Sequence, residues 1–203
     1  MIKIIFYLTK FQVIPTISTK IPTRFLQMCA MSASQLPPAD MAAYMVNCLH
    51  AMHSVLSLFP FTSTQLEMLG LQIDAHSDTL VSEQAVSILQ QGGIAEIYQI
   101  VNELPNSNSS TPLSQIPGCE REQVRLALER FDVFLNSADT NTLQQVQLVQ
   151  SPSIREETIN RARKMTAEAY KTIYNAILDP RNIYSDPHTL GLRSSDQVLD
   201  LLA

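Results

Sequence analysis

Tryptophan is absent from this 203-residue sequence, glycine occurs only 5 times, and charged residues make up 16% of it, against roughly 25% in an average soluble protein. So few glycines argue against propellers, Gly-rich sandwiches and collagen-like arrays. Hydrophobic residues reach 45%, which excludes a disordered chain, since disorder needs low hydrophobicity and high charge. No window of about 18 apolar residues occurs, so no membrane-spanning helix is predicted. Cysteine is scarce as well. Cys29, Cys48 and Cys119 share no C-x-x-C spacing, and an odd count without a framework predicts a reducing compartment with the thiols as small buried apolar groups.

Acid is missing from the first 39 residues, which hold Lys3, Lys10, Lys20 and Arg24 and so carry +4. From Asp40 onward, 19 acidic residues face ten basic ones, a net of −9. No basic block exists, and a nucleic-acid footprint needs one; no nucleic-acid partner is expected. Residues 1–24 read as a divergent, unstructured leader. Met1–Leu8 is too short an apolar run for a convincing signal peptide, and Pro15 and Pro22 interrupt any amphipathic helix there.

What is present is helical periodicity between strong breakers. Met41, Met45, Cys48, Met52, Val55 and Phe59 recur at spacings of four and three, the pattern of one helix face, which Pro60 ends. Thr62 with Gln65 forms a capping-box pattern ahead of a helix predicted over 63–91. Its seam uses Leu66, Leu69, Ile73, His76, Leu80, Val81, Ala85 and Ile88, and Gly92-Gly93 terminates it. A shorter helix follows over 94–104.

Residues 105–118, with three prolines and a Ser/Asn cluster, read as a linker. Beyond it, helices are predicted over 121–136, 143–149 and from Ser151-Pro152 to Leu178, the last on a face of Ile154, Thr158, Ala162, Met165, Ala169, Ile173 and Ile177. A final helix starts at Ser194, with Gln197 three residues on. Neither an alternating strand pattern nor a repeat of fixed period is found. The predicted class is all-α: a stacked antiparallel bundle of helices of unequal length.

Candidate chemistry is sparse. His50 and His53 stand three apart on one helix turn and His76 lies on the next helix, so a metal-dependent hydrolase is one alternative; no H-E-x-x-H pattern supports it. Asp74 and Asp78 flank His76, but residues two apart on a helix do not face each other, and a histidine in a helix seam is the plainer reading. Asp186 and His188 around Pro187 read as turn chemistry, and Glu156-Glu157 as first-turn acids favoured by the helix dipole. The eight methionines could pack a core or form an adaptable partner surface.

Phe25-Leu26-Gln27-Met28-Cys29, the run ADMAAYMVNCLHAM (residues 39–52), the stretch FTSTQLEMLGLQIDAHSDTLVSEQA (61–85) and the ending AYKTIYNAILDPRNIYSDPHTLGLRSSDQVLDLLA (169–203) together carry a resemblance. They are similar, in order, to the C-terminal region of the conserved oligomeric Golgi complex subunit 6 family, whose members are much longer. The resemblance covers 25–203 and implies a helical, non-enzymatic subunit that tethers vesicles in intra-Golgi retrograde transport. It further implies peripheral residence on the cytosolic face of the Golgi membrane, with other subunits of that complex and membrane-fusion (SNARE) helices as partners. No catalytic, cofactor-binding or metal-binding residue is implied. An orphan soluble helical adaptor, detached from any such complex, is the other alternative.

Overall fold

A computed structural model describes residues 24–60, 62–103, 111–137 and 142–202. The leader reading, apart from Arg24, falls outside them, as do 105–110 of the linker reading and Leu104 at the end of the helix read over 94–104. Every regular element among the described residues is helical, as the all-α expectation requires: α1 (24–33), α2 (Pro38–Leu56), α3 (Ser63–Gln91), α4 (Ala95–Glu103), α5 (Arg121–Asn136), α6 (Gln144–Gln147), α7 (Pro152–Leu178) and α8 (Ser195–Leu202). Short 3₁₀ turns occupy Leu113–Gln115, Pro180–Asn182 and Pro187–Leu190. The chain divides into two compact units. One takes the residues up to Leu80 plus Gln145–Arg155; the other takes Val81–Gln144 and Glu156–Ala203.

The first unit is built on α1 and α2, joined by a turn before Pro37-Pro38. Pro38 sits in the first helical turn, where its missing N–H is no loss. Cys29 and Ala33 of α1 pack with Met45 and Leu49 of α2 and with Leu69 and Ile73 of α3. Thr62, only 3% exposed, donates its hydroxyl to the carbonyls of Leu56 (2.7 Å) and Phe59 (2.9 Å). The hydroxyl thus closes the end of α2 behind it, a use that the capping-box pattern did not anticipate. A distant segment completes the unit. Asn47 donates its amide to the Leu148 carbonyl (2.9 Å) and accepts from the Gln150 N–H (2.8 Å), while Gln145 donates to the Asp40 carboxylate (3.0 Å).

The face predicted for α2 is buried in part: Met45 lies in the core, and Met41, Cys48 and Met52 pack against it. Ala42, Ala43, Met45, Val46 and Leu49 face the interior, whereas Val55 is 58% exposed and Phe59 52%. Phe59 lies beyond the end of the helix at Leu56, so the apolar repeat outruns it.

The second unit closes around Phe131 of α5, 2% exposed and stacked on Tyr170 of α7 (centroids 5.5 Å apart) and on Phe134 (6.3 Å). The Gly92-Gly93 stop works through a left-handed glycine: Gly93 has φ +73°, its N–H reaches the Gln90 carbonyl (3.1 Å) and the Ile94 N–H reaches Leu89 (3.0 Å). Those paired bonds satisfy carbonyls that a helix end leaves open, and the accompanying apolar contact is supplied by buried Leu89 and Ile94. Leu113, within the stretch read as a linker, is fully buried in this core, and its N–H donates to the Asn182 side chain (3.1 Å).

At α8, Ser194 and Gln197 form a reciprocal capping box. The Ser194 N–H donates to Gln197 Oε1 (3.0 Å) and the Gln197 N–H to Ser194 Oγ (3.2 Å). Along α7 the buried face runs through Thr158, Ala162, Thr166, Ala169, Tyr170 and Ile173. Met165, expected on that face, is 42% exposed. Glu156 and Glu157 lie beyond the first turn, because α7 begins at Pro152.

Candidate binding groove

The sequence-predicted polar candidates do not assemble into a centre. His50 and His53 are half-buried on α2, and His76 is half-buried on α3, where burial lowers its pKa below the ordinary histidine value. No group of three His, Cys, Asp or Glu side chains among the described residues could hold a metal ion. Asp186, in a left-handed conformation (φ 47°), accepts through its carbonyl from the Thr189 N–H (3.0 Å) and hydroxyl (2.7 Å), so turn chemistry describes it well.

Strongly shifted groups elsewhere have structural causes. Burial pushes the Cys119 thiol up to about 11, with Glu120 adding to it. Burial likewise raises Tyr184, whose hydroxyl donates to the Cys119 carbonyl (2.6 Å). Burial raises Tyr170 too, and its phenol both donates to the Arg193 carbonyl and accepts from the Arg193 N–H, each at 3.0 Å. The Arg193 side chain pairs with Asp132.

The first unit carries a different feature. On the first unit an open groove of about 620 Å³ is lined by Phe25 of α1, by Tyr44, Asn47, Cys48, Ala51, Met52, Val55 and Leu56 of α2, and by Gln150. Spacings of four and three along α2 place Tyr44, Cys48, Ala51, Met52 and Val55 on the flank next to its buried face. Among the described residues, not one charged side chain lines it. Its polar atoms are largely engaged: Asn47 holds the 148–150 segment as described, and Tyr44 and Cys48 share a hydrogen bond that raises the tyrosine pKa. Burial, first, and the hydrogen bond to Cys48 raise the Cys29 thiol beneath it. Covering such a surface is favourable, because fully burying a Val, Leu, Phe or Met side chain yields about 1.5–3 kcal/mol.

Sequence reasoning named Cys48, Met52 and Val55 as core and passed over Tyr44, Asn47 and Gln150. The exposed methionines, Met28 at 65%, Met31 at 76% and Met68 at 55%, favour the partner-surface reading for those three. Met45, at 6%, is core.

The described residues thus form two helical units, one of them bearing an apolar groove. The family described as Conserved Oligomeric Golgi complex subunit 6, C-terminal, matches residues 11–202, and the chain belongs to it. The match begins inside the segment read as a leader. Subunit 6 of that complex from Bos taurus and from Homo sapiens are each 38% identical over 178 residues, covering 88% of this chain and 27% of theirs. The Drosophila melanogaster protein of the same name is 35% identical over 177 residues, 87% of this chain and 26% of its own length. The chain therefore spans about a quarter of the length of these relatives. No solved structure gives a significant match.

Proposed function

We propose that this chain acts by binding rather than by chemistry, as a subunit of the conserved oligomeric Golgi complex that tethers vesicles in intra-Golgi retrograde transport. The observation that carries the reading is the family match over residues 11–202, collinear with relatives that bear the name of that complex. Its partners in this reading are the other subunits of the complex and SNARE helices, met through helix-in-groove contacts. Attachment to the cytosolic face of the Golgi membrane is peripheral, through the assembly; no helix among the described residues is long and apolar enough to cross a membrane. The test is a pull-down of the tagged 203-residue chain from Golgi-rich extract, read by mass spectrometry. Recovery of other subunits of the complex is the expected outcome. A soluble protein that captures none of them overturns the reading.

A further inference from the structure

We infer that the groove on α1 and α2 seats an apolar helix face from the polypeptide that precedes the matched region in full-length members of the family. Of fifteen exposed large hydrophobic residues, eleven belong to the first unit, although it has fewer described residues than the second. On α1 the exposed set is Phe25, Met28 and Met31, spaced by three, which makes one outward helix face; Phe25 also lines the groove. Exposed apolar side chains gathered on one helix face mark an interaction site.

The occupant follows from chain length and chemistry. The matched family is a C-terminal one and this chain spans about a quarter of its relatives. In those proteins most of the polypeptide comes first and leads into α1, beside the groove. A segment tethered that closely has an effective concentration in the millimolar range. The described lining residues carry no charge and favour an apolar, uncharged helix face. A lipid surface is disfavoured, because attraction to anionic headgroups needs clustered Lys and Arg. The described residues of this unit hold only Arg24 and Arg155, against Asp40, Glu67, Asp74 and Asp78.

The inference rests on family membership and not on vesicle tethering, so an empty pull-down leaves it standing. Cys48 provides the readout, since it is partly exposed in the groove while Cys29 and Cys119 are buried. Its alkylation rate is compared between the 203-residue chain and the full-length Bos taurus relative carrying this chain in place of its matching 178 residues. Expected is at least a tenfold slower reaction in the long protein, reversed by Ala51→Trp, with Cys29 and Cys119 unreacted in both as the sign of intact folding. Equal rates overturn the proposal. So does slowing in the short chain that grows with its own concentration, which means a second copy, or slowing by phosphatidylserine vesicles, which means a membrane. Should the long protein react at Cys29 or Cys119, hydroxyl-radical footprinting of the unaltered Bos taurus relative decides. Protection of the residues aligned with Met52 and Val55 supports the proposal, and strong labelling there overturns it.

Discussion

Adding a single methyl group at Gly92 tests the packing logic of the second unit. A Cβ there would stand 2.5 Å from Phe131 Cδ2, 3.0 Å from Cε2 and 3.1 Å from the Ile88 carbonyl oxygen, whereas carbon atoms settle at about 3.5–4.0 Å. Something must move by about 1 Å to restore that spacing. The ring cannot yield cheaply, because it is 2% exposed and held between Tyr170 and Phe134. Overpacking of this kind costs about 1–3 kcal/mol. The opposing gain, a less flexible unfolded chain, is at most about 1 kcal/mol, so Gly92→Ala destabilises.

Gly70→Ala is the internal standard. That residue lies inside α3 with nothing within 4 Å of the added atom, and replacing a mid-helix glycine by alanine is worth about 0.5–1 kcal/mol in the stabilising direction. In a melt followed by circular dichroism, each kcal/mol moves the midpoint by about 2–4 °C for a chain of this size. The two substitutions therefore shift the midpoints in opposite directions. A Gly92→Ala protein as stable as the parent would refute the argument that the Phe131 ring is immobilised.

Three further outcomes are expected. Tyr170→Phe removes the phenol that serves both the N–H and the carbonyl of Arg193. Leaving a buried backbone group unpaired costs about 1–3 kcal/mol, to be read as a lower urea midpoint at unchanged slope. Ser194→Ala removes half of the capping box of α8 and costs about 0.5–2 kcal/mol; Ser194→Asp should retain most of that in the same urea titration. His76, whose pKa burial depresses below 6.5, takes up a proton more readily when unfolded. Stability is then full above pH 6.5 and declines as pH falls from there toward the folded-state pKa. His76→Gln should flatten that decline, and parallel curves for the two proteins would show that His76 is not its source.

Legibility differed between elements for identifiable reasons. The limits of α3 and α5 could be read to the residue, because a left-handed glycine pair ends α3 and local punctuation brackets α5. The Ser194–Gln197 pairing was visible for the same reason: its partners sit three residues apart. The buried face of α7 was harder, since the predicted repeat averages nearly four residues and so drifts around a helix of 3.6 per turn. The single step of three, from Ala162 to Met165, turns that residue back toward the edge of the buried face, while Tyr170 lies past the other edge of the predicted set. On α2 the apolar stripe was real, but a stripe does not say which part a neighbour covers. The groove was illegible because it joins Phe25, the flank of α2 and Gln150, and because Asn47 reaches across 101 and 103 residues to Leu148 and Gln150. Such a juxtaposition leaves no local pattern.

Neither unit is continuous in sequence, and this bears on how the protein is made. As the chain leaves the ribosome, the first unit lacks Gln145–Arg155 until Val81–Gln144 of the second have emerged. Meanwhile the Asn47 amide has no Leu148 or Gln150 to hold. The second unit waits longer, because Val198 and Leu202 of α8, both almost fully buried, belong to the same core as Phe131. Two half-built cores therefore coexist during synthesis, and apolar surface bared in that interval invites aggregation. A nascent chain halted before α8 leaves the second core open, so a premature stop there should be cleared by cellular quality control out of proportion to the few residues lost.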